Sequence, residues 1–522
     1  MIRSGPLAAV GIAMLGLAGC ATQSLHSAPD RPDVPWHPNV SASGEIVPGA
    51  CCARGLALPP GYTLPSNRHI HVRPPPPELA TAHVYSLAEL IDVAQSSNPL
   101  TRRAWNMARD AALAVGIARS TYLPHLTATV VGGYNYRSSN GLNAAIGNLD
   151  FNGAGNRTSG TGEVQTLGVE WLLFDFGKRE ALIDSARESQ LATNILFTGA
   201  HQKLIYSVTL AFYTHAAATA RVTLLQQALD DARKVQDATD MRLRHGEGTV
   251  VDATQARQAT AQAELRLVQA EGGAENTYLD LMTAIGIPPD THVRMQDISD
   301  RPLSLADARL TDDMVQRAVA RRPDVLAAYA ATRASRSAVA AARAEFLPKV
   351  FVAGNVAYAT GHLALSSVPG VGADASPTLN LSSNNFSSVV LGGISVPIFD
   401  GGMRAATLRQ ARNQSDSAEA TLHQTVDEAV KQMVVAENGV HTSLSAYAAS
   451  GRLQTAAQTS FDAALSAFHN GMGSVTQATL AQSGLIDAQL QRSDAYYAAL
   501  IAASSLAFAA GALGDASAAE TP

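Results

Sequence analysis

Few residues in this chain stand in patterns that do chemistry, and the clearest is a thiol near its start. Leu17-Ala18-Gly19-Cys20 follows Arg3 and a short apolar stretch from Pro6 to Leu17. A basic start, a brief apolar core and small residues describe a secretory signal, and the stretch is too short to span a bilayer. The four residues match the bacterial lipobox, in which the cysteine thiol is acylated and becomes residue one. Residues 1–19 are therefore read as a signal peptide and Cys20 as the lipidation site. The covalent lipid is the only added group expected; no other cofactor is implied. Ala21 and Thr22 follow, with no aspartate after the cysteine. In lipoproteins of this pattern that absence permits sorting to the outer membrane. Durable anchoring takes more than one acyl chain.

The remaining reactive residues form no site. Cys51 and Cys52 are neighbours, and a bridge between them would close only a strained ring. Both are oxidisable in the periplasm and are read as incidental residues of a flexible arm. His69-Ile70-His71 offers two imidazoles without a third ligand, so no metal site is expected. Gly-x-Ser-x-Gly is absent from any strand-to-helix context, and no phosphate loop of the Gly-x-x-x-x-Gly-Lys type occurs. No catalytic residue is assigned, and the chain is not read as an enzyme. A net charge of −6, without long runs of one sign, gives none of the basic patch that marks nucleic-acid binders.

Two glycine clusters are more informative. Arg244-His245-Gly246-Glu247-Gly248-Thr249 and Asn470-Gly471-Met472-Gly473-Ser474 each interrupt a long apolar-periodic run. Glycine supports tight reversal between helices, and Thr249 and Ser474 suit the start of the returning helix. The elements that carry these turns follow from the rest of the chain. Apolar residues are 46% of it but aromatics only 5%, a mix that suits long, closely packed helices. Lys178 to His245 contains no proline and one glycine, Gly199. A continuous helix there would be roughly 100 Å long. Leu204, Val208, Ala211, Ala218, Val222, Leu225, Leu229 and Ala232 keep a coiled-coil spacing along it, and His215 sits in this seam as a core histidine. Met403 to Asn470 is a second proline-free stretch, with Gly439 and Gly451 inside it.

The second stretch is one part of a duplication. Asn98-Pro99 pairs with Arg322-Pro323, and Ala118–Pro124 with Ala342–Pro348, both offset by 224. Phe174-Asp175 pairs with Phe399-Asp400, and Arg244-His245-Gly246 with His469-Asn470-Gly471, both offset by 225. Each copy reads as helix, strand, strand, long helix, glycine tip and returning helix. The strands, about 123–137 and 163–174 and then 347–360 and 387–399, alternate with period two. Leu126, Ala128, Val130, Tyr134 and Tyr136 oppose Thr127, Thr129, Asn135 and Arg137; Leu167, Val169, Trp171 and Leu173 oppose Thr166, Gly168 and Glu170. Val350, Val352, Val356, Tyr358, Val390 and Ile394 repeat the apolar face. Alternation over about ten residues, with long Gly/Ser/Asn loops at 138–162 and 361–386, is the pattern of a membrane barrel. Four strands cannot close one, because small barrels need about eight and open edges in lipid are costly. Cyclic assembly with other copies resolves this.

From about Ser86 to Leu513 the chain resembles the TolC-like outer-membrane efflux proteins, the outer membrane factors, and their lipoprotein branch in particular. The resemblance rests on the paired Leu123-Pro124 and Leu347-Pro348 turns, Leu173-Phe174-Asp175-Phe176-Gly177 with Pro397-Ile398-Phe399-Asp400-Gly401-Gly402, and the tip Arg242–Asp252. It implies a mainly α protein with a membrane β-barrel: a homotrimer sharing a twelve-stranded barrel above a periplasmic α-helical tunnel. It implies an outer-membrane exit duct of a tripartite efflux system, passing small molecules from an inner-membrane pump and a periplasmic adaptor. The rival readings are a type I secretion duct and a lipid-anchored coiled-coil scaffold or adaptor. By resemblance the tips dock the adaptor, through Arg244, His245, Gly246, Gly248 and Thr249 and through Asn470, Gly471, Gly473 and Ser474. The family's acidic gate positions in copy two hold Gln477 and Leu480, while copy one keeps Asp252 and then Gln255. The expected gate is therefore a constriction of Asp252, Gln477 and Leu480 rather than an aspartate ring. The domain plan is signal 1–19, lipidated Pro-rich tether 20–85, repeats 86–300 and 301–513 with tips at 244–250 and 469–475, and tail 514–522.

Overall fold

The structure is a computed structural model that describes residues 38–40, 46–50, 66–71, 74, 83–139, 143–146, 149–152, 156–299, 303, 312–361, 386–470 and 472–513. The chain divides into two units, Met1–Pro76 and Pro77–Pro522. In the first, β1 (Pro38–Val40) and β2 (Ile46–Ala50) form an antiparallel pair, so the tether holds a hairpin that its composition did not suggest.

The second unit opens with β3 (Val84–Tyr85), which pairs in parallel with β8 (Arg294–Met295). Two residues read as tether therefore belong to the body. α1 (Leu87–Ser97) starts on a capping box in which the Ser86 side chain accepts from the Glu89 amide and Glu89 accepts from the Ser86 amide. α2 (Pro99–Ser120) begins with Asn98 as cap and proline at its first position. It ends just before Leu123-Pro124, where proline prevents further helix.

β4 (His125–Ser139) and β7 (Asn156–Phe174) then form a hairpin, with the small pair β5 (Asn143–Ile146) and β6 (Leu149–Asn152) between them. The expected loop at 138–162 is thus partly strand, and β7 starts earlier than its alternation indicated. α3 (Lys178–Arg244) runs unbroken for 67 residues and returns as α4 (Val250–Ile285). Copy two repeats the plan: α5 (Asp312–Val319), α6 (Pro323–Ala344), β9 (Lys349–Gly361), β10 (Phe386–Ser395), α7 (Met403–His469, again 67 residues) and α8 (Val475–Ala509).

Two antiparallel hairpin bundles, α3 on α4 and α7 on α8, are joined by packing of α3 on α8. α3 also carries α2 and α6 on its first half. The main core gathers Leu204, Val208 and Phe212 of α3 with Leu281, Met282 and Ile285 of α4 and Tyr496, Tyr497 and Leu500 of α8. Each large side chain buried there contributes about 1.5–3 kcal/mol. A second cluster continues the seam through Leu225, Leu229 and Ala232. His215 lies half-buried beside these layers, its Nδ1 3.2 Å from the Ala274 carbonyl and from Thr277 Oγ1. Burial holds its pKa below the usual value for histidine, so the neutral ring is favoured.

The four long strands make one antiparallel sheet in the order β10-β9-β7-β4. The hairpins of the two copies meet along β7 and β9, with Gln165 opposite Tyr358 and Val169 opposite Gly354.

Candidate functional site

Cross-strand register sorts the sheet into two faces. Val130, Leu167, Val356 and Val390 share one, and it is exposed: Val130 keeps 69% and Val390 79% of its surface. Thr127, Thr166, Val164, Ala357 and Ala359 share the other, where the last three are buried. An apolar face turned outward is the reverse of a soluble sheet and suits contact with lipid. Tyr134, Tyr136, Tyr358 and Phe386 lie toward one end of that face and Trp171 and Phe174 toward the other, as in the aromatic girdles of membrane barrels. β10, the shortest of the four strands at 10 residues, still meets the membrane-crossing length of about 9–11. No helix among the described residues is long and apolar enough to cross a membrane.

At the base of the sheet each copy turns abruptly from strand to long helix. In copy one Asp175 accepts from the Arg179 amide at 2.9 Å, and Arg179 Nε lies 3.2 Å from Asp175 Oδ2. The guanidinium also donates to the Thr121, Leu172 and Leu173 carbonyls and covers the Tyr122 ring at 4.4 Å. Copy two repeats the device with Asp400, Arg404 and Phe346, more exposed and with fewer partners. The aspartates were visible in the sequence as landmarks. Arg179 and Arg404 were not singled out, although an arginine four residues after the repeated Phe-Asp was the available signal.

At the other end of the helices the two tips lie together. α3 closes with the Gly246 and Glu247 amides donating to the Leu243 and Arg242 carbonyls. Gly246 has φ of +77°, a conformation that favours glycine. Gly248 and Gly473 are needed for a different reason: a Cβ at Gly248 would meet the Leu243 amide at 3.1 Å, and one at Gly473 the Phe468 amide at 3.0 Å. Thr249 and Ser474 cap α4 and α8 through full capping boxes. Arg244, His245, Thr249, Asn470 and Ser474 are exposed, beside the exposed apolar Val250, Val251 and Met472. The tips are held to each other by Arg242, which donates to the Phe468 carbonyl and lies over its ring, and by a small core of Ala256, Phe468, Val475 and Ala478. Arg242 was read only as part of the motif; its partner is 226 residues away in the chain.

Two of the three expected gate residues have structural work at the same place. Asp252 Oδ2 accepts from the Thr249 hydroxyl at 2.7 Å, and Gln477 Oε1 accepts from the Ser474 amide at 3.3 Å. Leu480 is 73% exposed. Gln255 accepts from Thr476 at 3.0 Å, tying the starts of α4 and α8. Cys20, Cys51, Cys52 and Gly471 lie outside the described residues. No cluster of potential metal ligands occurs among the described residues.

A model of the family described as "Outer membrane efflux protein" matches residues 90–287 and 314–512, one segment per copy. Protein CyaE of Bordetella pertussis is 28% identical over 383 residues, 72% of this chain and 74% of that one. Outer membrane protein OprJ of Pseudomonas aeruginosa is 27% identical over 354 residues, covering 66% and 67%. The crystal structure of the Campylobacter jejuni CmeC outer membrane channel superposes with a TM-score of 0.69 at 17% identity, over 82% of this chain and 86% of that one. With both copies matched, most of the chain is accounted for, and it belongs to the outer membrane efflux protein family.

Proposed function

We propose that the protein is the exit duct of a tripartite efflux system. It acts as a lipid-anchored homotrimer in the outer membrane of a Gram-negative bacterium. Small molecules delivered by a proton-driven inner-membrane pump and a periplasmic adaptor pass through it without chemical change, so it is not an enzyme.

One observation carries this reading: a four-stranded sheet with an outward apolar face, ending in strands β4 and β10, stands on paired helices of 67 residues. In hydrocarbon each unpaired backbone group at such an edge costs several kcal/mol. Three copies edge to edge supply twelve strands, enough for an aqueous lumen. The polar positions of the inner face line it, and the helices extend it through the periplasm. Cys20 bears the lipid anchor. The exposed tip residues, with Val250, Val251 and Met472 beside them, form the adaptor-docking surface. Gln477 and Leu480 narrow the tunnel mouth, with Asp252 nearby. The family's description favours efflux over protein secretion.

Native mass measurement and electron microscopy of the detergent-extracted protein test the proposal. A three-chain tapered cylinder carrying acyl mass on each chain is expected. A single-chain soluble rod overturns it.

A further inference from the structure

The two copies share their strand pairing but not the chemistry of their inner face. In copy one that face carries His125 opposite Glu170, Thr127 opposite Gly168 and Thr129 opposite Thr166. The repeat offsets of 224 for the first strand and 225 for the second turn these pairs into Lys349 with Ser395, Phe351 with Gly393 and Ala353 with Leu391. That is the register of β9 and β10. Where copy one presents three threonines, copy two therefore presents Phe351, Ala353 and Leu391. Leu391 keeps 53% of its surface, and Phe351 and the nearby Val389 keep 37% each. Exposed apolar groups gathered on a face that otherwise suits water mark a place where something apolar binds.

These residues surround a shallow dish. The tip of the Phe351 ring covers Gly393, where a Cβ would meet it at 2.7 Å, so glycine is what lets the ring lie there. Ala353, the next residue of β9 on this face, stands between Glu170 of β7 and Leu391 of β10. Its methyl group is the floor. Glu170 and Leu391 are the side walls, and Phe351 and Asn355 close the two ends. Strand geometry makes the dish about 10 Å wide and about 13 Å long, room for a flat aromatic body.

The polar groups at its edge favour positive charge. Glu170 is exposed, and among the described residues it forms no ion pair. His125 stands opposite it on β4 with no hydrogen bond to it among the described residues. Asn355 holds a buried Oδ1 that has no hydrogen-bond partner among the described residues. Lys349, on the same face nearer the base, is held by Glu345, as is Lys178.

We propose that this dish is a binding site for amphiphilic organic cations: the apolar body lies on Phe351, Leu391 and Val389, and the positive charge faces Glu170. The proposal rests on the exit-duct reading above, in which this face lines the lumen, and adds the class of solute received there. A shallow, open site suits passage, because conduction needs entry that is favourable and release that is easy. The site belongs to copy two with one wall lent by copy one, so each chain carries it once.

Fluorescence polarisation of pyronin Y, a flat xanthene cation, with the detergent-purified full-length protein tests the proposal. Fluorescein, an anion on the same xanthene frame, is the control, and protein-free micelles are the blank. Saturable binding of pyronin Y is expected. Glu170→Gln should weaken it about fivefold, the factor for one contact between unit charges at about 4 Å in water, and Leu391→Asn should weaken it as well. Both residues are exposed, and native mass checks that each variant assembles like the parent. Fluorescein should bind the parent less tightly than pyronin Y does and should lose nothing in Glu170→Gln. Unchanged pyronin Y affinity in both variants overturns the site, and weakening in Leu391→Asn alone overturns the choice of a cation. Planar-bilayer conductance of the parent judges the duct separately. A conducting parent with unchanged dye affinity in both variants removes the site and leaves the duct. A parent that is single-chain by native mass and forms no channel overturns the duct, and the site with it.

Discussion

Removing Arg179 tests whether the strand-to-helix elbow is held by one buried cation. Arg179 and Asp175 are both buried, each with 5% side-chain exposure, and the arginine serves three carbonyls besides its carboxylate. Arg179→Met fills similar space but leaves the Asp175 charge without its partner. Deleting one member of a buried pair costs about 3–5 kcal/mol, a shift of two to nearly four orders of magnitude in the folded ratio. Arg404 is more exposed, and among the described residues its side chain donates to Asp400 alone. Loss of one charge-assisted bond there costs about 1.5–3 kcal/mol. Trp171 is a built-in reporter, because its indole donates to the Tyr122 carbonyl at 2.8 Å in the same elbow. In a Trp36→Phe, Trp105→Phe background, urea titration in detergent followed by Trp171 emission measures both variants. Arg179→Met is expected to unfold at much lower urea than Arg404→Met, with Arg179→Lys between Arg179→Met and the parent. Equal stability of the two Met variants would refute the argument that burial sets the scale.

Three further outcomes are expected. Gly246→Leu forces a β-carbon into positive φ at about 1–2 kcal/mol; it and a bulky residue at Gly471 should abolish export while native mass still shows assembled trimer, and normal export would contradict adaptor docking at the tips. Leu480→Ser should raise single-channel conductance in planar bilayers, and unchanged conductance counts against a constriction at that residue. Glu89 accepts first from the Ser86 amide and also from His83 and the Ser86 hydroxyl, which brings its pKa down to about 2; its ordinary value is 4.5, so its contribution is complete above about 4.5 and fades as pH falls through 2. The stability gap between wild type and Glu89→Gln should therefore close on acidification from about pH 5 to 2, and a constant gap would show that the carboxylate is not the cap.

The legible part of this protein was its periodicity. Proline-free runs fixed the long helices, alternation found the membrane face, and the Phe-Asp and glycine landmarks aligned the copies. What stayed hidden needed a third dimension. Arg242 meets Phe468 across 226 positions, and no local pattern announces such a partner. The small β5–β6 pair lies in a Gly- and Asn-rich stretch whose composition resembles loop. Asp252 and Gln477 are instructive in another way. Thr249-x-x-Asp252 and Ser474-x-x-Gln477 carry the same signature that identifies Ser86 and Glu89, so their capping role is legible from the sequence alone. The capping role and the proposed gate role share one side chain, so a substitution meant to test the gate at either residue also removes a helix cap.

The seam between the two copies has a mechanical consequence. Within one chain the joint between the two copies is riveted by charge, through Lys178 with Glu345 and Arg333 with Glu188. Glu345 illustrates the rivet: burial pushes its pKa up, and hydrogen bonds from Lys178 and Lys349 outweigh this and leave it below the usual range. Salt and acid thus act inside each chain, on joints that are also covalently tethered. Acid or salt is therefore expected to loosen the two halves of one chain against each other while the covalent link between them holds.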